Sequence, residues 1–199
     1  WSASGEQAKS KTTRTNWAGM IRGMEMAEQK DTIPKSYAPS DVEPEILSKW
    51  DESGMAAGDP HESGDPYCIL IPPPNVTAPL HIGHALNNTL QDVLVRYHRM
   101  NGFSTLWMPG TDHAGIATQS VVERRLMQLE DKKRTDFTRD EFVARVRAWK
   151  DEYEATILEQ LRAMGASCDW NRTRFTMDDM CADAVRAAFF KLFSAGLIY

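Results

Sequence analysis

His81 and His84 stand three residues apart around Ile82 and Gly83, where a loop of three prolines, Asn75 and Thr77 gives way to a helical period. A second polar cluster, Thr111-Asp112-His113, follows Pro109-Gly110. Imidazoles at a helix start add donors to a terminus that already has free N–H groups and partial positive charge, an arrangement suited to phosphate oxygens. Gly83, with no side chain, lets a base or ribose approach the backbone. Asp112 offers a carboxylate to a cationic ammonium group. Nucleotidyl transfer asks mainly for positioning and charge stabilisation, so this set suits the α-phosphate of ATP under attack by a carboxylate.

Other readings of the same residues stay open. The histidines could be ordinary surface or core residues. His81 and His84 with His113 or Asp112 could ligate a metal as in a hydrolase, although the zinc-hydrolase spacing with an intervening Glu is missing, and no metal ligand is assigned. Asp112 could cap the helix after Gly115, and Thr111 or Asn75 could be turn residues. A non-catalytic module binding RNA or protein is a further alternative.

For the two clusters to meet, their loops must leave the same edge of a sheet, because ligands of open parallel sheets bind beyond the carboxyl ends of the strands. Tyr67–Ile71 is a continuous apolar run that predicts a strand buried on both faces, ended by Pro72-Pro73-Pro74. Ile82, Leu86, Leu90, Val93, Tyr97 and Met100 recur at helical steps and predict a helix packing that face on the sheet, closed by Asn101-Gly102. Thr105–Met108 predicts a second strand, making a parallel βαβ crossover. Further helices are expected from Ile116 to about Leu129, from Thr138 to Met164 with a Thr138/Glu141 capping box, and from Asp178 to Ala195. Leu197–Tyr199 is expected to open another strand or an inserted domain. Upstream, Val42, Ile46, Leu47 and Trp50 suit one face of a helix over Asp41–Trp50, and Gly54–Asp65 reads as a loop. Residues 1–35 are polar and predict a mobile leader, with a short helix around Met20–Met26. The fold class is α/β: a Rossmann-like parallel-sheet nucleotide-binding half-domain with additional helices over 36–199.

The 199 residues, 42% hydrophobic, suffice for one core. With 23 basic against 28 acidic residues, the net charge of -5 argues against a strongly basic nucleic-acid binder. Cys68, Cys168 and Cys181 lack metal-site or redox spacing and read as small buried hydrophobes in a reducing, cytoplasmic setting. No apolar run approaches the ~20 residues of a membrane span. Trp107, Trp149 and Trp170 read as packing residues. A start at Trp1 and an apolar end at Tyr199 suggest a segment cut from a longer protein.

The run Pro72-Pro73-Pro74-Asn75-Val76-Thr77 followed by Leu80-His81-Ile82-Gly83-His84-Ala85 resembles the first signature of the class I aminoacyl-tRNA synthetases, named HIGH after its four residues. With Gly110–Gln119, Gly165–Trp170 and Arg174–Asp178, it looks like the valyl branch rather than the isoleucyl or leucyl one. The likeness covers about Tyr37 to Tyr199. It implies ATP-dependent activation of valine and transfer to tRNA(Val), with ATP and Mg2+ required, by a monomeric cytoplasmic parent. His81 and His84 would stabilise ATP phosphates, Gly83 would lie against the nucleotide, Asp112 would bind the valine ammonium, and Pro73 and Asn75 would line the amino-acid pocket. Ala78 departs from the glycine common in the family, which bears on nucleotide affinity. The second signature, KMSKS, does not occur in these residues, which implies an incomplete N-terminal segment of the catalytic domain.

Overall fold

Residues 36–61 and 63–199 are described by this computed structural model. The leader expected over 1–35 and the short helix around Met20–Met26 lie outside the described residues. Helix α1 (Pro39–Ser53) forms where the periodicity places it, yet buries no residue. It is held by its last turns: the Arg96 guanidinium lies 4.7 Å from the Trp50 ring centroid, and Arg162 pairs with Asp51 at 2.9 Å.

Strands β1 (Pro66–Leu70) and β2 (Ser104–Met108) are rich in aromatic and branched residues that suit a pleated sheet. They pair in parallel, Tyr67 opposite Thr105 and Ile69 opposite Trp107, and the helix between them, α2 (Ile82–Met100), is the crossover parallel pairing requires. β1 is not buried on both faces as expected. Tyr67 and Ile69 turn inward while Cys68 and Leu70 are exposed, so the strand alternates like one covered on a single side.

The packing of α2 is also the reverse of its apolar period. Ile82, Leu86, Leu90, Val93, Tyr97 and Met100 are all exposed, and the opposite face meets the sheet. There Val95 and Asn88 are buried, and Trp107 Nε1 donates to Gln91 Oε1 at 3.0 Å. Arg99 Nε donates to Thr105 Oγ1 at 3.1 Å, and His98 stacks on Tyr67 at 3.6 Å. A polar stripe makes this contact because Gln91 and Arg99 each find a specific partner on β2, removing the cost of burial without one.

After β2 the chain forms β3 (Gly110–Thr111), α3 (Ile116–Glu130), a 3-10 turn at Arg134–Asp136, and the long α4 (Arg139–Ala163). Thr138 caps α4 reciprocally with Glu141, as its sequence predicts. A second 3-10 turn, Trp170–Arg172, leads to β4 (Arg174–Phe175), which pairs in parallel with β3, and then to α5 (Asp179–Ser194). Gly110 is required there, since a Cβ would stand 2.6 Å from the Arg174 carbonyl oxygen. Leu197–Tyr199 forms no strand; the Leu197 N–H closes α5 by donating to Leu192 O at 3.0 Å.

Two apolar clusters hold these elements. Ile71, Val76, Val95, Trp107, Ile157 and Leu161 join both strands to α2 and α4, and Val122, Leu126, Phe142 and Trp149 join α3 to α4. Trp107 and Trp149 are buried and Trp170 packs on the first cluster, as expected of core aromatics. Of the cysteines only Cys168 is buried; Cys181 is half-buried and Cys68 lies exposed on the uncovered face of β1. No helix among the described residues is long and apolar enough to cross a membrane.

Candidate functional site

The loop after β1 cannot continue the ladder through its prolines, yet it stays beside the β2 side of the sheet. Pro74 O accepts from Asp112 N at 2.8 Å and Asp112 O accepts from Val76 N at 3.0 Å, making Asn75 the parallel bridge partner of Asp112. Two loops separated by nearly forty residues are thereby zipped together, and Asn75 and Asp112, both expected near the amino acid, become neighbours. Pro73 is exposed on the same loop. Helix α4 braces the segment from behind. Trp149 Nε1 donates to Val76 O at 2.9 Å, and Gln160 Oε1 accepts from Leu80 N at 2.7 Å, immediately before His81. Ala78 takes no left-handed φ, so an alanine fits this turn without strain.

At the start of α2 the two histidines cap the helix and each other. His81 Nδ1 accepts from Gly83 N at 3.1 Å, and His84 Nδ1 accepts from His81 N at 3.3 Å. An Nδ1 that accepts leaves the hydrogen of a neutral imidazole on Nε2, so each ring keeps one outward donor. The rings lie 4.0 Å apart, and burial, followed by repulsion from His81, pushes the His84 pKa below the usual histidine value. Gly83 is explained by this cap: a Cβ there would approach His81 Cε1 to 2.9 Å. Its N–H is taken up by His81. Among the described residues no hydrogen bond or ring contact joins the histidine pair to Asp112.

On the other side of Asp112 lies a residue that the sequence did not single out for chemistry. Thr176 Oγ1 donates to Asp112 Oδ1 at 2.8 Å and accepts from His113 N at 3.0 Å, with His113 Nδ1 at 2.6 Å. The pairing of Thr111 with Phe175 sets Thr176 across from Asp112 one step beyond the strand ends. Two-residue strands have no periodicity to read, so only the run Phe175-Thr176-Met177 itself, ahead of a helix, marked the place. Asp112 does not cap α3. That N-cap is Gly115, and Ala114 and Gly115 both have positive φ, 49° and 44°, bending the chain sharply after His113. Thr111 is not a turn residue but a buried one, donating to Glu154 Oε1 at 2.8 Å. A cleft of about 780 Å³ opens on the His113 side between α3 and α4, and none of His81, Gly83, His84, Pro73 or Asn75 lines it. Among the described residues no group of three or more His, Cys, Asp or Glu is placed to hold a metal ion.

Residues 45–199 match the family model described as tRNA synthetases class I (I, L, M and V). The chain is similar to the valine–tRNA ligase of Rhodopirellula baltica, 55% identical over 84% of this chain and 16% of that protein. It is similarly related to that of Chlamydia pneumoniae, 53% identical over 85% of this chain and 18% of the relative. The chain thus spans less than a fifth of the relatives' length. Its fold resembles that of Agrobacterium radiobacter LeuRS, solved as a ternary complex with tRNA and LeuAMS. The TM-score is 0.68 and the identity 22%, over 82% of this chain and 19% of that one.

Proposed function

The chain belongs to the class I tRNA synthetases of the I, L, M and V group, and from that premise we propose that residues 36–199 are the first half of the catalytic domain of a valine–tRNA ligase. Its reaction is ATP-dependent formation of valyl-adenylate and transfer of valine to tRNA(Val), in the cytoplasm and by a monomeric parent. The observation that carries the proposal is the zipping of Asn75 to Asp112 only a few residues before the paired histidines. A single loop thus borders an amino-acid site on one side and a phosphate site on the other. The identity to valine–tRNA ligases favours valine over the other three amino acids of the group.

In this reading Asp112 takes the valine ammonium, with Asn75 and Pro73 beside it. The valine carboxylate then attacks the α-phosphorus of ATP, and pyrophosphate leaves. His81 and His84 donate through Nε2–H to phosphate oxygens, stabilising the charge that builds on them. Neutral rings suit the task, since their directed donors are set by the cap and need no protonation. For Gly83 N–H to reach the nucleotide as well, the His81 ring must swing aside. Mg2+ bound with ATP would supply charge that offsets the negative triphosphate. The test is valine-dependent exchange of pyrophosphate into ATP by the complete protein, with isoleucine, leucine and methionine as competitors. Exchange driven by valine supports the reading; exchange driven by another amino acid, or none, overturns it.

A further inference from the structure

Thr176 Oγ1 has one hydrogen and two lone pairs, and the geometry uses all three. The hydrogen goes to Asp112 Oδ1 at 2.8 Å. One lone pair accepts the backbone N–H of His113 at 3.0 Å. The 2.6 Å contact to His113 Nδ1 must then be a second accepted bond, with the ring hydrogen on Nδ1, because the hydroxyl has no second hydrogen to give. His113 Nδ1 also lies 3.2 Å from Asp112 Oδ1, so Thr176 and His113 both approach that oxygen, while no described group bonds Oδ2. The side chains of Asp112 and His113 are about a third exposed, so the pair reaches solvent.

We propose that Thr176 is a positioning residue for the amino-acid substrate: its hydroxyl fixes Asp112 Oδ1 and the rotamer of the carboxylate, leaving Oδ2 aimed at the ammonium. The inference rests on the ligase reading above. Its structural basis is separate, being the register of β3 against β4 that brings Thr176 to Asp112 across sixty-four residues of sequence. Without the hydroxyl, Asp112 Oδ1 keeps only the longer 3.2 Å contact of His113 Nδ1, and the loss falls on the amino acid rather than on ATP, whose phosphates face other residues.

The experiment uses the complete ligase carrying this segment, as wild type, Thr176→Val and Thr176→Ser. Valine has nearly the shape of threonine without its hydroxyl, and serine keeps the hydroxyl without the methyl. The expected result is a valine KM raised roughly ten-fold or more in Thr176→Val, the weight of one hydrogen bond to a charged group. The ATP KM should stay within about two-fold, and Thr176→Ser should recover most of the loss. In parallel, nitrogen NMR should place the His113 hydrogen on Nδ1 in the wild type, where Thr176 Oγ1 and Asp112 Oδ1 both face that nitrogen. An unchanged valine KM in Thr176→Val, or equal damage in Thr176→Ser, overturns the inference while exchange by the wild type leaves the ligase reading intact. No valine-dependent exchange by the wild type overturns both.

Discussion

His81 and His84 cap a helix with the nitrogens that face it, so neighbouring backbone groups fix Nδ1 of each ring as the acceptor and leave Nε2 as the donor. The lowered pKa of His84 follows from burial first and from His81 second. We expect NMR titration to find His84 below its ordinary value of 6.5, and His81→Gln to move it part of the way back. A full return would mean that burial has no share. The linkage has a definite sign. A histidine whose folded pKa is depressed favours the folded chain above pH 6.5, and that contribution is lost as pH falls through the lowered value. Asp112 and His84 should also part company kinetically. In the complete ligase, Asp112→Asn is expected to damage valine use far more than ATP binding, while His84→Ala should lower the rate on the order of 100-fold, as when one preorganised donor is removed. Exchange kinetics separate them, and equal losses for both substrates in both variants would contradict this division of roles. Thiol chemistry offers a check on burial: the Cys168 thiol is pushed up to about 12, mainly by desolvation, whereas Cys68 is exposed. Alkylation followed by mass spectrometry should modify Cys68 first and Cys168 only on unfolding.

Among the helices, α2 and α4 divide the work in a way periodicity alone does not show. The apolar stripe of α2 invites the conclusion that it packs on the sheet, yet Val95 and a set of polar partners do so instead. Leu90→Ala, on the exposed stripe, is therefore expected to change the stability of this chain by no more than about 0.5 kcal/mol. Ile157→Ala, on the fully buried face of α4, should cost about 2–5 kcal/mol. Urea unfolding measures both, and a costly Leu90→Ala would mean that the stripe is packed. Helix α4 also braces the loop before His81. Trp149→Phe keeps an aromatic ring but leaves the Val76 carbonyl without its donor, an expected loss of about 1–3 kcal/mol.

Across the whole chain, local signals carried a large part of the fold. The boundaries of α2 and α3, the Thr138/Glu141 cap and the parallel crossover were legible because caps, prolines and glycines act on their own few residues. The meeting of the loops that carry Asn75 and Asp112 was legible because both leave the same edge of a parallel sheet. Tertiary structure decided which face of α2 meets the sheet, that Cys68 lies in the open, that Leu197–Tyr199 pairs with nothing, and that Thr176 holds Asp112. Each of these depends on a partner far away in sequence. A hydrophobic period reports that a helix has two unlike faces, but the choice between them is made by whichever neighbours satisfy the buried polar groups. For α2 those neighbours are Thr105 and Trp107 on the strand, contacts that exist only once the chain has folded.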